Sequence, residues 1–234
     1  MLSSFSDGGN FQAMCGRFAL IVPNLDFLAE MLEAEFDPEF RDLYKPSYNI
    51  GPQTINPILI EENGLRRIIP ARWGWEGFDG RSLINARSET ASKKRTFSEA
   101  FQKRRCIIPA SGFFEWRKEG KEKQPFWFFP SDNGIFFFAG LFENAMEGER
   151  KFLILTTEAT RIVSRIHDRM PVIVSKNRIP DWFLEPSAEL LKPVDERDIA
   201  YNEVSGKVNS VRNNDPECVA PLKKETYGKQ PLLF

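Results

Sequence analysis

The chain has 234 residues, 41% hydrophobic and 28% charged, and its 21 Phe and 5 Trp can fill a core of one domain, or two small ones, without a metal or disulfide staple. Basic and acidic residues nearly cancel, 32 against 33, which excludes nucleic-acid binding over the whole surface but leaves room for a local groove with a few placed Arg or Lys. The three cysteines are far apart with no CxxC pair, so a reducing cytosol fits better than a disulfide framework or a zinc site, and no apolar run approaches the roughly 20 residues of a membrane span.

Residues 1–13 lack the positive start and apolar stretch of a signal peptide and are expected to be a disordered leader or non-native extension. One domain is expected over 14–222, with 223–234 as a tail. Residues 15–22 predict a strand. Pro23 and Asn24 open a helix with Leu25, Leu28, Leu32 and Phe36 on one face. A loop at 47–52 precedes a hairpin, 55–60 with 65–69, around Glu62-Asn63-Gly64. Arg72-Trp-Gly-Trp75 and a Gly-rich turn follow. Asn85-Ala-Arg-Ser-Glu-Thr90 then precedes a basic helical stretch carrying Phe97, Ala100 and Phe101. From Cys106 the pattern changes to short β-type runs at 106–108, 113–116, 126–129 and 135–138. A strand at 152–155, a short helix at 158–166, a strand at 170–174, a short helix at 189–191 and a strand at 204–211 complete the chain. Mixed strands and scattered short helices predict an α+β fold with curved, mostly antiparallel sheets.

Several residues are candidates for chemistry, each with a plainer reading beside it. Cys15 follows Met14; if translation starts there, or the leader is removed, Cys15 becomes the first residue. It then carries an α-amine (ordinary pKa about 7.7–8.0) and a thiol (about 8.5) on adjacent carbons. The amine can form a Schiff base with an aldehyde, and the thiol can close on that imine to give a thiazolidine, an intramolecular step favoured by proximity. The plainer reading is a small buried hydrophobe. His167, the chain's one histidine, is a general acid–base candidate or a surface residue beside Asp168. Glu115, inside the aromatic run Phe113-Phe-Glu-Trp116, either faces water or is desolvated into a usable proton carrier. Asn85 and Arg87 share a face of an extended segment, or sit in an ordinary polar loop. Trp73, Trp75 and Trp116 either stack on unpaired bases or pack in the core. The clusters Lys93-Lys-Arg95 and Lys103-Arg-Arg105 either flank a groove or are solvated helix faces.

The order of these pieces is more informative than any one of them. Met14-Cys-Gly-Arg-Phe18, Tyr48-Asn-Ile-Gly-Pro52, Arg72-Trp-Gly74, Asn85-Ala-Arg-Ser-Glu-Thr90, Arg105-Cys-Ile-Ile-Pro-Ala-Ser-Gly-Phe-Phe-Glu-Trp116, Leu155-Thr-Thr157 and Ile166-His-Asp-Arg-Met-Pro171 occur in succession. Together they resemble the SRAP (SOS-response-associated peptidase) family of abasic-site processing proteins, over about 14–220. The resemblance implies a barrel-like α+β fold with peripheral short helices and a groove for single-stranded DNA. It implies that mature Cys15 crosslinks to a ring-opened abasic deoxyribose after a peptidase-like step removes the residues before it. It also implies that Asn85 positions sugar and amine, and that Glu115 and His167 move protons. DNA would be held by Arg17, Asn49, Pro52, Trp73, Arg87, Trp116, Thr156 and Arg169: the arginines on phosphates, Trp73 and Trp116 shaping or stacking along the path, Thr156 lining the site. No cofactor, metal or membrane is implied; abasic single-stranded DNA is the expected partner, a monomer the expected form, and the cytoplasm, on the nucleoid if bacterial, the expected location. Two features depart from the family pattern: the 13 residues ahead of Met14, and Trp75-Glu76 where the family often has an aliphatic pair.

Overall fold

The computed structural model describes residues 15–77, 80, 82–120, 122–145 and 148–222. The expected leader at 1–13 and tail at 223–234 lie outside the described residues. Strand β1 (Phe18–Leu20) is shorter than expected, because Cys15 has φ 46°, in the left-handed region, and does not continue the strand. Helix α1 (Leu25–Leu32) begins where the Asn24 side chain accepts the Phe27 N–H, and it buries Leu25, Leu28 and Leu32. Phe36 does not share that face. Glu33, at φ 53°, ends the helix with its N–H on the Ala29 and Glu30 carbonyls, and Phe36 falls in β2 (Glu35–Phe36), opposite Ile68.

After α2 (Pro38–Leu43) and β3 (Ser47–Ile50) comes the expected hairpin, β4 (Ile55–Glu62) and β5 (Leu65–Trp73). Asn63 and Gly64 have φ 53° and 76°, as a two-residue turn matched to strand twist requires. β6 (Trp75–Glu76) and β7 (Ser82–Leu83) pair with each other. β8 (Asn85–Arg87), α3 (Ser88–Ala91) and α4 (Ser98–Lys103) follow. The aromatic β-type runs become β9 (Arg105–Ala110), β10 (Gly112–Glu119), β11 (Glu122–Pro130) and β12 (Phe136–Asn144). β13 (Arg150–Glu158) runs further than expected and confines the next helix to α5 (Arg161–Ser164). β14 (Arg169–Pro171), α6 (Ile179–Leu184) and β15 (Ile199–Glu203) complete the set. The strand expected at 204–211 is not there. Val204 makes one bridge to Pro221, and the Ser205 side chain caps a 3-10 turn at Gly206–Asn209; the strand is the segment just before, paired with β11.

One antiparallel sheet has the order β15-β11-β10-β1-β3. The other runs β14-β13-β12-β9-β4-β5-β2, and β5 also pairs in parallel with β13, so β13, β12, β9, β4 and β5 close into a ring. This is the barrel-like α+β architecture the resemblance implied. Alternation along β10 sends Phe113 into the main core and Phe114 into a smaller cluster with Trp127, Val204, Val208 and Cys218. No helix among the described residues is long and apolar enough to cross a membrane.

Candidate active site

Three strand pairings bring distant residues to one point. β1 pairs with β10 through Phe18 and Phe113, and continuing that antiparallel register carries the chain at Cys15 to the side of Glu115. At Thr156, β13 is flanked on one side by Arg87 of β8 and on the other by Pro171 of β14. Asn85, Thr156 and Arg169 therefore converge, although the first two are 71 positions apart in the chain.

The Cys15 N–H donates to Glu115 Oε1 at 2.9 Å. Asn85 Nδ2 donates to the Cys15 carbonyl at 3.4 Å, and Cys15 Sγ lies 3.8 Å from the Arg169 carbonyl oxygen. His167 Nδ1 accepts the Arg169 main-chain N–H at 3.1 Å and is 3.2 Å from Asp168 Oδ1. In the chain as sequenced Cys15 N is a peptide nitrogen. Of the four residues expected to carry chemistry, Glu115 meets the Cys15 nitrogen and Asn85 the Cys15 carbonyl, while His167 meets the main chain of Arg169, whose carbonyl faces the Cys15 sulfur.

Burial sets the proton affinities. Glu115 is 2% exposed, and desolvation lifts its pKa from 4.5 to about 7 against the opposing pull of His167 and the Cys15 N–H. A carboxyl at that value exchanges protons in either direction at neutral pH. Burial first, then the Glu115 charge, pushes the Cys15 thiol well above its ordinary range. The sulfur is therefore held as a thiol, not a thiolate.

The residues expected on DNA divide into three groups. Arg87 and Pro52 are exposed, and Trp116 is half-buried with Nε1 on Asn209 Oδ1 at 2.6 Å and the Arg17 guanidinium 5.8 Å from its ring. These can meet a ligand. Asn49 and Arg17 are engaged internally. Arg17 Nη1 donates to Asn49 Oδ1 at 2.7 Å and to the Val208 carbonyl at 2.8 Å, and Asn49 Nδ2 lies within 3.2 Å of the Val208, Ser210 and Asn213 carbonyls. Trp73 has no exposed surface; it lies parallel to Phe152 at 6.3 Å and donates Nε1–H to the Ile84 carbonyl. Base stacking by Trp73 is excluded in this arrangement, because β5 turns it into the ring's interior. Trp75 is buried against Phe97.

Arg169 departs from expectation as well. Its side chain is 8% exposed and its guanidinium grips Glu89 through two bonds, 2.5 and 2.9 Å, and the Thr156 carbonyl at 2.6 Å. It is not presented to a phosphate. Glu89, which sequence reasoning gave no role, joins the site only through this pairing across 80 positions. No local pattern signals a pair so distant. Among the described residues, no group of three His, Cys, Asp or Glu is placed to hold a metal.

The family model for the SOS response associated peptidase (SRAP) matches residues 14–211. The abasic site processing protein YoqW of Bacillus subtilis (strain 168) is 35% identical over 223 residues, covering 88% of this chain and 99% of YoqW. The abasic site processing protein YedK of Escherichia coli (strain K12) is 35% identical over 227 residues, 89% of this chain and 100% of YedK. The crystal structure of a Bacteroides thetaiotaomicron protein superposes with a TM-score of 0.75 at 25% identity, over 88% of this chain and 100% of that one.

Proposed function

The chain belongs to the SOS response associated peptidase (SRAP) family, and on that premise we propose that it processes abasic sites in single-stranded DNA by bonding to them through Cys15 as its first residue. One observation carries the reading: the nitrogen of Cys15 is hydrogen-bonded to a buried carboxyl whose pKa is about 7.

The steps follow from the proton affinities. The α-amine attacks C1′ of the open sugar aldehyde. Glu115 takes a proton from the attacking nitrogen and returns one to the departing hydroxyl, so water leaves and the imine forms. The amine acts before the sulfur, because burial and the Glu115 charge keep the Cys15 proton on sulfur. Sulfur then adds to the imine carbon, its proton passes to the nitrogen, and the five-membered thiazolidine closes. Asn85, on the Cys15 carbonyl, fixes the residue's orientation. His167, whose charge acts on Glu115, serves the ring oxygen of the sugar when the closed form opens.

The same carboxyl serves an earlier step. Hydrolysis of the Met14–Cys15 bond adds water to the Met14 carbonyl carbon and must put a proton on the departing Cys15 nitrogen, and Glu115 is already hydrogen-bonded to that atom. A thiol peptidase acting on other proteins needs a thiolate–imidazole pair, whereas here the thiol is held protonated beside the Arg169 carbonyl.

The test uses the purified protein, its N terminus established by intact mass, with an abasic single-stranded oligonucleotide and an intact control. The reading requires a species stable to denaturing electrophoresis with the abasic strand only, lost in Cys15→Ala. Equal crosslinking by Cys15→Ala, or crosslinking by protein that retains residues before Cys15, overturns it. Turnover of added peptides without DNA would favour the peptidase reading instead.

A further inference from the structure

We infer that Glu89 is a positioning residue for the chemistry at Cys15, acting through Arg169; the inference rests on the covalent reading above. Arg169 has two roles in the geometry. Its main chain meets both reacting groups: the carbonyl oxygen receives the Cys15 thiol at 3.8 Å, and the N–H donates to His167 Nδ1 at 3.1 Å. His167 Nδ1 also lies 3.3 Å from the Arg169 carbonyl oxygen, so both main-chain polar groups of Arg169 face that ring nitrogen. Its side chain, meanwhile, is locked. The guanidinium holds Glu89 by a fork of two bonds, at 2.5 and 2.9 Å, and Thr156 O at 2.6 Å.

A guanidinium that is 8% exposed cannot stay in place without its carboxylate, since an unpaired buried charge is costly. Removing Glu89 therefore draws Arg169 toward solvent and carries residues 167–169 with it. Glu89 itself is 45% exposed at the first turn of α3, so its loss leaves the core intact. It touches neither Cys15 nor His167 among its hydrogen bonds; its effect passes along one residue.

The experiment measures the crosslinking rate against abasic-strand concentration for wild type, Glu89→Ala, Glu89→Gln, Arg169→Ala and the double variant Glu89→Ala/Arg169→Ala. The expected result is a maximal rate at least 10-fold lower in Glu89→Ala, partly recovered in Glu89→Gln, with half-saturating DNA changed less than 3-fold. The double variant should be no slower than Arg169→Ala. Thermal melts should show every variant folded at the assay temperature. A maximal rate equal to wild type overturns the inference, as does an effect confined to half-saturation or one additive in the double variant. If wild type itself makes no crosslink, the covalent reading fails; if wild type crosslinks and Glu89→Ala matches it, this inference alone fails.

Discussion

Glu115→Gln should make the protein more stable while removing its chemistry. The carboxyl titrates at 4.5 in an unfolded chain and at about 7 when buried. The folded protein therefore binds this proton more tightly than the unfolded one. The contribution is fully present below pH 4.5 and is lost as pH rises through about 7. At 1.36 kcal/mol per pH unit, the gap amounts to about 3 kcal/mol of penalty above neutrality. Glutamine is isosteric, stays neutral, and its carbonyl oxygen can still accept the Cys15 N–H now bonded at 2.9 Å. For a chain of this size about 3 kcal/mol corresponds to roughly 6–12 °C in melting temperature. Thermal unfolding of both proteins from pH 5 to pH 9 should show near-equal melting points at pH 5 and a gap that opens in favour of Glu115→Gln toward pH 8. An α-ammonium on Cys15 narrows that gap, so both proteins must share the same N terminus, checked by intact mass. Crosslinking by the variant should fall by about 10²–10⁴-fold, the usual contribution of a general acid–base group. A difference in melting temperature that does not change with pH would refute the assignment of the raised pKa to burial.

The two tryptophans should separate by phenotype: Trp73→Ala is expected to cost about 3–5 kcal/mol of stability, as for large core aromatics, read by denaturant unfolding. Trp116→Ala, which loses the Asn209 bond and its packing on Phe114, should cost less stability than Trp73→Ala and weaken single-strand binding by about 1–3 kcal/mol, the value of one base–aromatic stack, read by fluorescence anisotropy. Asn49→Ala leaves the Val208, Ser210 and Asn213 carbonyls without their shared donor, and should cost about 1–3 kcal/mol with faster amide exchange over 206–213.

The sequence by itself determined the kind of fold and the family, and it named Cys15, Asn85, Glu115 and His167 as candidates for the chemistry. Short β-type runs marked β9 through β13, the Asn63-Gly64 turn marked the hairpin, and the spaced motifs marked the family. These signals are local, because strand period, turn chemistry and short motifs are written within a few positions of one another. The ends of elements were less legible. Phe36 kept the helical spacing of α1 but was taken by β2, since Glu33 in the left-handed region stopped the helix first. Residues 204–211 carried strand-like composition, yet the edge of β11 was filled by the segment before them.

Only the tertiary structure decided which polar residues of the site were committed and which were open. Trp73 and Trp116 are the same residue type, but β5 carries Trp73 into the ring's interior, whereas Trp116 on β10 stays half-buried with its indole N–H on Asn209. Arg169 could have met a phosphate until Glu89, 80 positions away, was found on it. The raised pKa of Glu115 depends on how much water the packed core excludes. Burial and long-range pairing are properties of the folded surface as a whole, and no window of neighbouring residues encodes them.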